Sequence, residues 1–363
     1  MATDSVSPAT RAKLARSVLQ HNLRVRSGER VIVEAWTHTL PWAIALAREA
    51  RHLGALPLVT YEDEPAYWEA VEDGQDALLG KAPAHEWAAL GKTDVYIHLW
   101  GPSDRVRLER LPEARLNRLL DYNAGWYSAA EKAGVRGARL EVGRVYPTNA
   151  RAYGVDPSKW MDQLVSATMV APDALARAGA PIARAFGHGK RVRIRDDQGT
   201  DLTLGLAHRR AVTMAGRPDT SRFGRLVTLP SGMVRVALDE TVAEGTIAAN
   251  RASYYQDGKA TGGVLRFRRG RLVSAEFDHG EDRFKSEFKK GGKGRDRPGW
   301  MSIGLNPHMH DTPPDEDEEL GAVTVSVGGN RNLGGNNPSP FFGWVVNGGA
   351  TVEVDGRPLV VHR

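Results

Sequence analysis

Titratable side chains gather at a few places along the chain, and each can do recognisable chemistry. The phrase HMHD supplies His308, His310 and Asp311. Two histidines one residue apart on extended chain project to the same side, where they can hold one metal ion or exchange protons near neutral pH. Asp239, Glu240 and Glu244 fall within ALDETVAEGTI, and Glu240 or Glu244 can act as a general base. FDHGED brings Asp278, His279 and Glu281 together. In GGNRNLGGNNPSPFFGWVVNGG, asparagine amides and free backbone N–H groups around Arg331 can cradle an anion or an oxyanion. Each cluster also has a plain structural account: a polar surface loop, a braced turn, a strand-to-helix junction, and tight turns in which Gly and Asn accept positive φ. Ser326 and Ser339 stand near the last cluster, but no Ser-His-Asp arrangement of recognised spacing accompanies them.

Composition narrows the chemistry. The chain has no cysteine, which excludes disulfides, thiolate zinc, iron–sulfur clusters and a cysteine nucleophile, so any metal must be held by His, Asp or Glu. With 363 residues, 41% apolar and 26% charged, two domains can each bury a core. A net charge of +5 is too mild for a dedicated nucleic-acid binder. No apolar stretch approaches the length of a signal peptide or a membrane span. These features lead to the expectation of a cytoplasmic protein without nucleic-acid or membrane partners.

The elements that must position these groups follow from periodicity. Ser7 and Pro8 read as a cap and first-turn proline before an amphipathic helix. ERVIVEA, an Ala/Leu-rich stretch closed by Gly54, and ALPLVTY make a strand–helix–strand unit, followed by strands at DVYIHLW and ARLEVG with a long helix between them. This alternation predicts an α/β amino-terminal domain with a mainly parallel sheet. Near residue 190 the pattern turns to period two. KRVRIRDDQGTDLTLGL reads as an antiparallel hairpin, and RLVTLP, MVRVAL, GGVLRFRRGRLVSAEF, LGAVTVSVGG and ATVEVDGRPLVVH read as further strands. The expected organisation is an α/β domain over 1–180 and a β-rich (α+β) domain over 181–363 carrying the site. The basic run KSEFKKGGKGRDRPG and the acidic run PPDEDEE both read as exposed loops, since clustered like charge is cheapest when solvated.

The order of elements, together with DVYIHLWGPSD, GVRGARLEVG, LPSGMV, EGTI, IGLNP, DEDEELGAV, GGNRNLGG and ATVEVDG, resembles the thermophilic metalloaminopeptidases of the aminopeptidase T and S type and their dihydroxypyridine dioxygenase relatives. The resemblance implies a homodimer with its active site on the second domain. It also implies divalent zinc, cobalt or iron held by His and carboxylates, which would activate water or polarise a carbonyl.

At the positions where the resemblance implies ligands, this sequence has other residues. Met233 and Trp300 stand where a Glu is implied, Thr324 where a His is implied, and Phe342-Gly343-Trp344 where a His-x-Asp pair is implied. No His, Asp or Glu occurs in the thirty residues from Leu320 to Gly349, so no shift of register supplies one. The expectation is therefore no metal and no other cofactor, with Met233, Trp300, Thr324, Phe342 and Trp344 lining an apolar, aromatic pocket or simply filling it. Three readings of function stay open. The first is a metal-independent hydrolase acting on a small aromatic or amide-bearing molecule, with Glu240, Glu244, His308, His310 and Arg331 as its candidate catalytic groups. The second is a non-catalytic binding or structural dimer, and the third a metallo-aminopeptidase with non-standard ligands.

Overall fold

The computed structural model describes residues 6–360 except 82, 220–223, 252, 256–257, 311–312 and 315. The chain divides into two compact units, one comprising residues up to 169 with 216–230, the other 170–215 with 231 onward. In the first unit, helix α1 (Pro8–Ser17) starts as its sequence prescribes: Ser7 Oγ accepts the Thr10 N–H at 3.1 Å and Pro8 occupies the first turn. Strand β1 (Arg30–Trp36), helix α2 (Leu40–His52) and strand β2 (Leu56–Glu62) follow, with Gly54 at φ +75° turning the chain between α2 and β2. Helices α3 (Glu64–Asp73) and α4 (Ala84–Leu90) lead to β3 (Val95–Leu99). Helix α5 (Glu113–Ala133) leads to β4 (Arg136–Leu140), and α6 (Pro147–Tyr153) and α7 (Pro157–Thr168) complete this stretch.

Helix α8 (Pro172–His188) opens the second unit, followed by β5 (Arg191–Arg195), β6 (Asp201–Gly205) and β7 (Val212–Met214). The expected boundary near residue 180 falls inside α8. That helix stays whole because Leu175, Ile182 and Phe186 all belong to the core of the second unit. The chain then returns to the first unit for β8 (Leu226–Leu229). RLVTLP, read from sequence as part of the β-rich half, is instead a fifth parallel strand. The first sheet runs β2-β1-β3-β4-β8, every pair parallel. A short apolar run satisfies either kind of sheet, so periodicity alone could not assign it.

The remaining elements are β9 (Met233–Ala237), β10 (Ala243–Ala248), β11 (Ser253–Tyr255), β12 (Gly258–Ala260), β13 (Val264–Arg268), β14 (Arg271–Glu276), helix α9 (Glu281–Lys290), β15 (Pro298–Gly304), β16 (Ala322–Gly328), β17 (Phe342–Gly348), β18 (Thr351–Val354) and β19 (Arg357–Pro358). They form two antiparallel sheets, β14-β13-β10-β6-β5-β18-β19 and β12-β11-β17-β16-β15-β9-β7. The predicted β5–β6 hairpin is present. One core joins Val192, Ile194, Leu202, Leu204 and Ile247 of the first of these sheets to Val234, Val236, Met301, Ile303, Val323, Val325 and Val345 of the second. Alternate residues of β9, β15, β16 and β17 therefore face away from that core.

The two charged runs differ from expectation. KSEFKK is the second half of α9, because Phe284 and Phe288, one helical turn apart, both pack edge-on against Phe341 at 5.5 and 5.4 Å between ring centroids. In PPDEDEE, Asp317 and Glu318 are buried at 8% and 5% exposure, in a short turn spanning Glu316–Glu318 that packs on β15 and β16.

Candidate functional site

The residues that β9, β15, β16 and β17 turn away from the core form one surface, and strand register orders them. Arg235 opposes Ser302, and Ser302 opposes Thr324, which opposes Val346. One step along, Trp300 opposes Ala237, and Ser326 opposes Trp344. Met233 opposes Gly304, and Phe342 opposes Gly328. The five residues expected to line a pocket, Met233, Trp300, Thr324, Phe342 and Trp344, thus share one sheet face.

Their packing forms a ladder from solvent to interior. Phe342 is 40% exposed and its ring lies parallel to that of Trp344, 6.0 Å away at 8°. Trp344 lies 6.0 Å from Trp300, which is buried, and the Arg235 guanidinium stacks over the Trp300 ring at 4.0 Å. The Trp300 backbone N–H donates to Ser326 Oγ at 2.7 Å, fixing the ladder to β16.

Arg235 was missed by sequence reasoning, although MVRVA alternates strictly and so places an arginine among outward-facing positions. Its Nη2 donates to Asp317 Oδ2 at 2.9 Å and lies 3.0 Å from the Met233 sulfur. Asp317 reaches it because Gly304 lets the acidic turn press on the sheet: a Cβ at Gly304 would lie 2.0 Å from the Glu319 carbonyl oxygen. Burial lowers the Arg235 pKa against the attraction of Asp317 and Glu318, and it raises that of Asp317 against the attraction of Arg235. For both groups desolvation outweighs the pairing.

Arg235 Nε, Ser302 Oγ and Thr324 Oγ1 are buried polar atoms of this face with no hydrogen-bond partner among the described residues. Ser302 and Thr324 are fully buried. All three belong to the same cross-strand row, where neighbouring side chains stand about 5 Å apart. Buried polar atoms normally find partners, and these three stand side by side in one row.

The other candidates stand elsewhere. Glu240 accepts both terminal nitrogens of Arg209 at 2.9 and 2.6 Å, Asn330 Nδ2 at 2.9 Å and the Asn336 N–H at 2.8 Å. Burial alone would raise its pKa, but these hydrogen bonds outweigh it and hold the carboxyl at about 2, too weak a base for proton abstraction near neutral pH. Glu244 is exposed, accepts the Arg269 N–H at 2.8 Å, and lies on β10 in the other sheet. His308 and His310 are exposed on either side of the fully buried Met309, and Asp311 lies outside the described residues. Arg331 is exposed at the start of a single turn, Arg331–Leu333.

The amides around Arg331 brace the loop. Asn330 bonds the Gly299 carbonyl and the Asn337 N–H, and Asn337 bonds the Gly294 and Gly328 carbonyls. Ser339 Oγ donates to the Gly291 carbonyl. In FDHGED, Glu281 accepts the Phe277 N–H and pairs with Lys285, and Asp278 and His279 are exposed.

Residues 9–295 match the thermophilic metalloprotease family (M29). The chain belongs to that family. AmpT from Thermus thermophilus has the same fold, with 21% identity and a TM-score of 0.72 over 97% of this chain and 99% of that one. The 2,5-dihydroxypyridine dioxygenase of Pseudomonas putida shares 16% identity with a TM-score of 0.61, covering 98% and 96%. No curated protein matches the sequence. These findings bear out the resemblance read from the sequence.

The family match ends before Trp300, Thr324, Phe342 and Trp344, the part of the face where metalloprotease ligands are implied. Met233, Trp300, Thr324, Phe342 and Trp344 present thioether, indole, hydroxyl and phenyl groups, none of them an ordinary ligand for zinc, cobalt or iron, and the Arg235 cation stands in the same row as Thr324, where it would repel a divalent ion. Among the described residues, no three His, Asp or Glu side chains are grouped to hold a metal.

Proposed function

We propose that the vacated face of this family member binds a small planar molecule bearing a carboxylate or another acceptor group. The ring stacks on the Phe342–Trp344 shelf, and the acceptor end reaches Arg235 Nε and the hydroxyls of Ser302 and Thr324. The observation that carries this reading is the row of three unpartnered buried polar atoms beside an aromatic ladder that opens to solvent. The scale suits an aryl carboxylate, because diagonal cross-strand neighbours such as Trp344 and Thr324 stand roughly 7–8 Å apart. Such sites combine apolar walls with a few placed polar groups.

Binding is favoured over hydrolysis as the function. Glu240 is locked in its own ion pair, Glu244, His308, His310 and Arg331 lie off this face, and Asp317, the carboxylate beside it, is engaged by Arg235 Nη2. The donors that the family's peptidase chemistry implies are replaced on this face, which leaves metal-assisted hydrolysis without a ligand set there.

Titration of the full-length protein with benzoate and nicotinate, followed by tryptophan fluorescence, tests the reading. Saturable quenching, weakened at least tenfold in Trp344→Ala and in the double variant Ser302→Ala/Thr324→Val, is the expected result. Absence of saturable quenching with a panel of planar carboxylates and amides would mean that water alone completes the row and that the face is a sealed core.

A further inference from the structure

The first unit carries a separate set of charged groups that the face in the second unit does not use. Its parallel sheet has the order β2-β1-β3-β4-β8. The chain leaves β1 for β2 on one side and then crosses β1 to reach β3, so the connections part between β1 and β3. In open parallel sheets of this kind ligands settle in the crevice at the carboxyl ends of the strands, where the connections part.

At that crevice the strand register makes one polar row: Thr60 on β2, Glu34 on β1, His98 on β3, Arg139 on β4 and Thr228 on β8. His98 Nδ1 lies 3.2 Å from Glu34 Oε1, and the other Glu34 oxygen accepts the Tyr96 hydroxyl. Glu34 and His98 remain 26% and 21% exposed, so the dyad is reachable.

The two ends of the row differ in charge. On the β4 side, Arg139 donates to the Tyr127 hydroxyl at 3.0 Å and to Thr228 Oγ1 at 3.1 Å, both neutral, and its Nε has no partner. Its guanidinium lies 5.4 Å from the Trp100 ring, whose indole N–H donates to the buried Glu141 at 2.6 Å, and Glu141 in turn pairs with Arg144. On the β2 side stand Glu34, Glu62 and Glu86. Glu86 is held by the Tyr122 hydroxyl at 2.7 and 2.8 Å, and neither Glu62 nor Glu86 pairs with a lysine or arginine among the described residues. Partial loss of hydration, and then the charge of Glu34, raise the pKa of Glu62, which stays exposed at its surface side; burial and Glu34 likewise raise that of Glu86, against the Tyr122 hydrogen bond.

We propose that the carboxyl end of this sheet binds a small zwitterion of the free α-amino acid class, with its ammonium toward Glu34, Glu62 and Glu86 and its carboxylate on Arg139. Glu34 and Arg139 are two strands apart, a backbone separation of roughly 10 Å. The charges of an α-amino acid, about 3 Å apart, plus a hydrogen bond of about 2.8 Å at each end, span most of that distance over His98. A simple anion would leave the carboxylates unmatched, and a simple cation would leave Arg139 unmatched.

Isothermal titration of the full-length protein with L-leucine, N-acetyl-leucine and leucinamide tests this. L-leucine is expected to bind saturably and both capped compounds to bind about tenfold more weakly or worse, since each lacks one charge. Glu62→Gln and Arg139→Gln are each expected to weaken L-leucine by about tenfold while leaving benzoate quenching at the Trp344 face unchanged. Glu62 is exposed, so its variant keeps the test valid even if Arg139→Gln fails to fold. Absence of L-leucine binding, equal binding of the capped compounds, or indifference to Glu62→Gln would overturn the proposal.

Discussion

Replacing Ser302 by Ala and Thr324 by Val should make the protein more stable, against the usual sign of core substitutions. Both hydroxyls are fully buried without a protein partner, and a polar group in that state costs roughly 1–3 kcal/mol relative to a satisfied or absent one. Thr324→Val keeps nearly the same shape, and Ser302→Ala removes a single oxygen, so neither opens a large void. The ligand-free double variant is therefore expected to gain about 1–3 kcal/mol, the lower end applying if ordered water already bridges the row. In a unit of this size that is a rise of roughly 2–4 °C in Tm per kcal/mol. Urea unfolding with a constant m value, alongside a thermal scan, measures it. The same variant should lose the planar ligand, so stability and binding move in opposite directions. A loss of about 1 kcal/mol or more would show that these hydroxyls are already satisfied within the fold, and the ligand row would have no basis.

Other expectations follow from the same side chains. Asp317→Ala strands the Arg235 charge in a buried setting and should cost about 3–5 kcal/mol, whereas Arg235→Met with Asp317→Ala should recover much of that loss; equal unfolding midpoints for the two variants would contradict the pair's coupling. Glu240 is held at about 2 against an ordinary 4.5, so its contribution, at most about 3 kcal/mol before solvent screening, is present above pH 4.5 and is lost as pH falls toward 2. Glu240→Gln should accordingly flatten the acid limb of unfolding free energy against pH, and an unchanged limb would refute this. The double variant His308→Ala/His310→Ala should leave both stability and benzoate quenching within about 0.5 kcal/mol of the parent, because both rings are exposed and off the face; a larger loss of binding would return them to the site.

Much of the fold was legible because its signals are local. Ser7-Pro8 and Gly54 carry their own φ preferences, and the DDQG turn fixes the β5–β6 hairpin. What escaped depended on contacts distant in sequence. Leu226–Leu229 pairs with β4 from nearly ninety residues away, and the acidic turn is buried only because Arg235 waits beneath it, eighty-two residues earlier. Charge density in PPDEDEE argued for solvent, and one guanidinium reversed that for Asp317.

At the site, Met233, Trp300, Thr324, Phe342 and Trp344, expected from the sequence to line a pocket, come to one sheet face. Their meaning was not. The sequence draws attention to residues that are unusual for the family's chemistry, whereas the unpartnered row depends on Ser302, which looks like any strand serine until register sets it between Arg235 and Thr324. Glu240 shows the converse: an acidic residue in a suggestive phrase whose two oxygens are engaged by Arg209, Asn330 and Asn336.

The most direct measurement is a crystal structure of the protein soaked with benzoate or nicotinate and read against an unsoaked crystal. Ring density against Phe342 and Trp344, with carboxylate oxygens within hydrogen-bond distance of Arg235 Nε, Ser302 Oγ and Thr324 Oγ1, is the expected result. A divalent ion at that row, or side chains packed with no room for a ligand in either crystal, would contradict it.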